Sequence, residues 1–220
     1  MTGELDEPVR DLLERQCGVL TGAQALGCGM TRKQVEARLR SGRWPRLHPG
    51  VYATFTGDPR GSALLWGALL RAGDAAVLSH HTAADLHGLT VSPATAIQVM
   101  VPSGQRVSAI SGVALHYSRR VAQARHPVRT PPQTLIEETV LDLAAGAPGP
   151  DEALGWIFRA CGSRKTTPDQ LAARAPGLVR LQSLTRRWTR TRPRIYPARL
   201  TRPGHPGRPR RMRSRDRLGG

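Results

Sequence analysis

The stretch MTRKQVEARLRSGRWPRLHPGVYAT, residues 30–54, gathers Arg32, Lys33, Gln34, Arg38, Arg40, Arg43, Arg46 and His48 around one short glycine break. Arg and Lys neutralise phosphates, and together with Gln they read base edges in a DNA groove. The chemistry these types offer is recognition of a nucleic acid. Three other groups invite a catalytic or metal reading. Adjacent histidines such as His80 and His81 point about 100° apart on a helix, so that only His80 and His87 share a face, and no Cys or carboxylate stands at a convincing ligand spacing. Packing or capping is the expected role of these histidines, and no metal or cofactor is expected. Glu137, Glu138 and Asp142 crowd one helix, where an acidic N-terminal half is stabilised by the helix dipole. Pro168 and Asp169 imitate the opening of a nuclease motif, but a capping box from Thr167 to Gln170 explains them, and no strand with a following Glu-x-Lys accompanies them. There is no nucleophile and base pairing and no phosphate-cradling glycine loop. The chain is therefore expected not to be an enzyme.

The elements that must position the basic residues follow from local pattern. EPVRDLLERQCG spaces Val9, Leu12, Leu13 and Cys17 for one buried stripe, with Gly18 as a stop. A short helix is expected from about Gly22 to Leu26, ended by the glycines of GCG. Thr31 then caps a new helix with Gln34 at the third position of a capping box. Val35 and Leu39 face inward and leave Arg32, Lys33, Gln34, Arg38 and Arg40 on the open side, and Gly42 ends the helix. RWPRL and GVYA read as two strands joined at His48-Pro49-Gly50-Val51, a type II turn with Pro second and Gly third. Three helices and a hairpin make a winged helix-turn-helix. Its last helix would enter the major groove, and Arg43, Arg46 and His48 would meet the flanking backbone. Thr31, Arg32, Lys33, Gln34, Arg38, Arg40, Arg43, Arg46 and His48 are the expected DNA-binding residues.

Downstream, GSALLWGALLRAG reads as a helix capped by Ser62 and closed by Gly73, and SHHTAADLHG as a second from Ser79 to Gly88. AIQVMVP and GVALHYS have strand lengths and patterns. Helices are expected from about Pro132 to Ala145 and from Asp151 to Cys161, the latter with Leu154, Ile157, Phe158 and Cys161 on one face, and a last one after Thr167. The fold class is α+β: a winged unit over 1–54, a small α+β domain over 55–180 and a tail over 181–220.

Net charge is +17 over 220 residues, which favours an anionic polymer as partner, duplex DNA first. Low aromatic content, 4%, leaves little for base stacking and makes a general RNA binder the weaker reading. No apolar run approaches the roughly 18 residues that cross a bilayer. MTGELDEPVR lacks a signal-peptide core, so a cytoplasmic protein without membrane contact is expected. Cys17, Cys28 and Cys161 form no CxxC pair and are expected as reduced, mostly packed thiols. Residues 181–220 hold about thirteen Arg against one acid among Pro, Thr and Gly, too little apolar surface to offset ordering entropy, and are expected to be disordered.

GVLTGAQALGCGMTRKQVEARLRSGRWPRLHPGVYA resembles the N-terminal winged-helix domain of the AbiEi-type antitoxins, the DNA-binding halves of type IV toxin-antitoxin systems, especially their actinobacterial branch. The likeness runs on through AVLSHHTAADLHGL, IQVMVP and RTPPQTLIEETVLDLAAGAPGPDEALGWIFRACG, about residues 16–175. RSGRWPRLHPGVY and IEETVLDLA are its most specific blocks. The resemblance implies a transcriptional regulator that represses its own operon, with a nucleotidyltransferase-like toxin as partner. Many relatives of this branch also carry a C-terminal endonuclease-like domain, and the Arg/Pro tail stands where it would begin. The alternative expectation is therefore a truncated or frameshifted relative of such a protein, retaining only the DNA-reading half. GC-rich coding sequence read out of frame gives an Arg, Pro, Gly and Ala vocabulary, so another frame of the gene over 181–220 is expected to continue the helical pattern.

Overall fold

The computed structural model describes residues 6–89 and 95–175. The tail expected at 181–220 lies outside the described residues. What is described is a mixed α+β architecture with two small sheets joined by a shared helix.

The first helix, α1 (Glu7–Arg15), has Pro8 in its first turn, where the missing N–H costs nothing, and buries Val9 and Leu13. The expected stripe breaks at its end. Cys17 is exposed, and the buried side chain there is Gln16, 3% accessible. The reason is the turn: Gly18 N–H reaches back to the Leu13 carbonyl, and Cys17 and Gly18 both take positive φ, which swings the thiol outward. Cys28 and Cys161 are half-buried, so packing of the thiols is only partial.

β1 (Val19–Thr21) leads into α2 (Gly22–Gly27) through a capping box that the sequence reading passed over. Thr21 Oγ1 accepts from Gln24 N–H at 3.0 Å, while Gln24 Oε1 accepts from Thr21 N–H at 2.9 Å. After the turn at Gly29 comes α3 (Arg32–Arg40), then β2 (Arg46–His48) and β3 (Val51–Ala53). The three strands form an antiparallel sheet ordered β1-β3-β2. Gly50 has φ 79°, as the third position of a type II turn requires. The first strand of the hairpin starts at Arg46, three residues later than expected. Pro45 cannot donate to a ladder, and Trp44 is drawn into the core with Val9, Leu13, Leu20, Ala25, Met30 and Val35, where it is 4% accessible.

α4 (Ser62–Ala72) begins at Ser62 itself, with Gly61 as the capping residue and no side-chain cap, so the expected Ser62 cap is corrected. Gly61 has φ 52°, a conformation that glycine reaches without strain. The helix serves two cores. Ala63 packs with Val19 and Val51 of the first sheet, and Ala68, Leu69 and Ala72 pack with Val99 and Val101 of the second.

The second sheet is β4 (Val77–Leu78), β5 (Ile97–Pro102) and β6 (Val113–Ser118), with β4 antiparallel and β6 parallel to β5. Around it stand α5 (His80–Leu86), α6 (Val121–Ala124), α7 (Ile136–Gly146), α8 (Pro150–Gly162) and α9 (Pro168–Arg174). α7 starts four residues after the expected Pro132. Leu78 N–H donates to the Pro132 carbonyl and Thr134 N–H to the Leu78 carbonyl, both at 2.9 Å, which holds residues 132–134 extended beside β4. α8 buries Ala153, Trp156, Ile157 and Ala160, whereas Phe158 is 45% exposed and Leu154 half-buried. The expected face is thus rotated so that the Trp156 indole, the larger payload, takes the core. α9 carries its expected box: Gln170 N–H donates to Thr167 Oγ1 and Thr167 N–H to Gln170 Oε1.

Candidate nucleic-acid interface

The site is built on α3. Thr31 Oγ1 accepts from Gln34 N–H at 3.3 Å, and Gln34 Oε1 accepts from both Thr31 N–H, at 2.7 Å, and the Thr31 hydroxyl, at 2.9 Å. These two side chains are thereby committed to capping the start of the helix, and Gln34 retains its amide N–H groups as its only outward offering. Arg32, Lys33 and Arg40 are exposed, while Val35 is buried against the core. The helix therefore presents a cationic side by virtue of the apolar side that holds it down.

Arg38 is half-buried. Its guanidinium lies 5.6 Å from the centroid of the Trp44 ring, and the Arg38 carbonyl accepts from Trp44 N–H at 3.3 Å. This ties the end of α3 to the start of the hairpin segment. Arg43 and Arg46, on either side of the buried Trp44, are exposed. His48 differs from them. Its ring edge lies close enough to Gly67 of α4 that an added Cβ there would sit 3.7 Å from His48 Cδ2, and burial, with Arg71 behind it, lowers its pKa. A neutral, half-covered imidazole is a weak phosphate partner, so the cationic hairpin is Arg43 and Arg46.

The other residues singled out by type are placed apart. His80 stacks on His116 of β6, centroids 3.7 Å apart, and burial, then His116 and His81, push its pKa down to about 4. His81 meets the Trp156 edge, and His87 Nε2 lies 2.9 Å from the Thr134 carbonyl. Among the described residues no group of three or more His, Cys, Asp or Glu side chains could hold a metal ion. Glu138 is 2% accessible and takes a two-pronged bond from Arg120, at 2.7 and 2.8 Å, with Arg174 at 3.7 Å. Glu137 accepts from the Thr166 hydroxyl. Asp142 is pushed up to about 6 by burial and then by the Glu138 charge, with Arg120 opposing, and its Oδ2 is buried without a partner. Neither Glu138's burial nor the arginines that satisfy it were legible, since Arg120 and Arg174 are remote in sequence.

Two adjacent capped helices, the second with an exposed cationic side, and a three-stranded sheet make up the N-terminal unit of a mixed α+β chain. Residues 7–54 match the family model AbiEi_4, described as transcriptional regulator, AbiEi antitoxin. The match opens on the first residue of α1 and closes one residue beyond β3, so the resemblance to AbiEi-type antitoxins holds over that whole unit. The IEETVLDLA block, on α7, lies outside it. No curated protein matches the chain. No helix among the described residues is long and apolar enough to cross a membrane.

Proposed function

We propose that the chain is a DNA-binding transcriptional regulator of AbiEi antitoxin type, in which residues 7–54 act as a winged helix-turn-helix on duplex DNA. α3 reads base edges through Arg32 and Lys33, with Arg40 at its far end on the backbone. Arg43 and Arg46 neutralise flanking phosphates, and Arg38 holds helix and hairpin together. The observation that carries this reading is the exposed cationic side of a helix whose start is fixed by a complete capping box and whose end is tied to Trp44. In the cell, by analogy with the matched family, the protein represses its own operon in the cytoplasm and neutralises a nucleotidyltransferase-like toxin. It works by binding and not by catalysis: of the α7 carboxylates, Glu138 is held by two arginines and Glu137 by Thr166, and Asp142 is half-buried with no metal site beside it among the described residues.

The test is discrimination. Sites are selected from random duplex DNA with the full chain, and the affinity ratio of selected to scrambled sites is compared with that of Arg32→Ala. Loss of one base contact lowers the ratio by about 1 to 3 kcal/mol. A chain that selects no sequence, or a ratio unmoved in the variant, refutes α3 as the reader.

A further inference from the structure

A groove of about 370 Å³ separates α1 and α2 from the segment that follows α6, residues 125–132. That volume lies within the roughly 300–1,000 Å³ of small-molecule sites. Arg15 stands on one wall and Arg125 and Arg129 on the other. All three are exposed, no carboxylate lines the groove, and none of the three takes part in an ion pair among the described residues. Arg125 spends one N–H on the Asp74 carbonyl at 3.3 Å, which steadies it without neutralising it. Between the cations the wall is apolar, with Leu12, the partly covered Trp66 and Val128, the last 80% accessible. Two polar atoms of groove-lining residues, Gln16 Oε1 and Trp66 Nε1, are buried without hydrogen-bond partners. Both atoms lie beneath the groove surface, so the surface offered to an occupant is that of the arginines and the apolar wall.

From this arrangement we infer that the groove is a binding site for a small organic anion with a phosphate or carboxylate head and an apolar body. The arginines hold the head through charge-assisted bonds. Leu12, Trp66 and Val128 cover the body, and burying Val128 removes an exposed apolar surface. The occupant touches residues from both sides of the shared helix α4, the α1–α2 wall and the wall beyond β6. The site is independent of the DNA-reading proposal, because none of its residues lies on α3 or the hairpin.

Two probes separate the two head groups: adenosine monophosphate for phosphate and salicylate for carboxylate, each titrated into the full chain by calorimetry. At least one is expected to bind saturably with a Kd below about 1 mM. In the double variant Arg15→Gln, Arg129→Gln that binding weakens at least about tenfold, each lost charged hydrogen bond contributing. Both positions are exposed, and a far-UV circular dichroism melt matching the parent shows that the variant folds. If neither probe saturates, the site is refuted. Binding that is undiminished in the variant, or that is abolished instead by Arg32→Ala with Arg43→Ala, assigns the anion to the basic tail or the DNA interface and equally overturns it.

Discussion

Changing Arg43 and Arg46 together to Ala tests whether the hairpin positions the protein or reads sequence. Both side chains are exposed and project from a segment anchored by Trp44, 4% accessible, so their loss leaves the core intact. Each phosphate contact releases counterions and adds about 0.9 to the slope of log affinity against log salt. Two lost contacts therefore make the slope shallower by about 1.8. Between 50 and 200 mM salt, a fourfold rise, the parent should lose about twelvefold more affinity than the variant loses. The weakening should be equal at selected and scrambled sites, because phosphate contacts carry no sequence information. Fluorescence anisotropy across a salt series, on both kinds of site, measures slope and selectivity at once. An unchanged slope means that neither arginine touches phosphate. A loss confined to the selected site means that the hairpin reads bases, and the division of labour between α3 and the hairpin is then wrong.

Gln34→Ala should cost about 1 kcal/mol of stability by opening the capping box, whereas Gln34→Glu keeps the box and instead weakens DNA binding by setting a negative charge near phosphate; denaturant midpoints and anisotropy separate the two effects. Asp142→Asn should stabilise the protein at pH 7.5. With the folded carboxyl raised from 3.8 to about 6, the folded chain takes up a proton between about pH 6 and 4 that the unfolded chain does not, so the parent recovers stability on acidification. The gain from Asn, on the order of 1 kcal/mol, therefore fades toward pH 4, and paired melts at several pH values would show a constant difference if burial of the charge were unimportant. Gly18→Ala should destabilise by about 1–3 kcal/mol: φ is 76°, and the added Cβ would lie 2.8 Å from Phe55 Cδ1. A lower urea midpoint at unchanged m is the expected reading.

The sequence by itself determined what depends on neighbours along the chain. The Thr31–Gln34 and Thr167–Gln170 boxes, the Pro49-Gly50 turn and the exposure of Arg32, Lys33 and Arg40 all rest on contacts within four residues, where spacing is geometry. The resemblance carried by RSGRWPRLHPGVY was legible for the same reason, since that block is one continuous unit. The tertiary structure decided wherever a side chain chose between partners distant in sequence. Trp44 left the strand for the core, Trp156 turned α8 so that Phe158 faces outward, and residues 132–134 preferred pairing with Leu78 to one more helical turn. His48 was turned onto Gly67 by α4, a helix whose packing against both sheets no local pattern announces. Likewise, the charge pattern of α7 marks Glu138 as a solvated carboxylate near a helix N-terminus, and only the arrival of Arg120 and Arg174 makes its burial affordable. Local periodicity fixes which face of an element is apolar, but large rings and buried charges are settled by the partners that the fold brings to them.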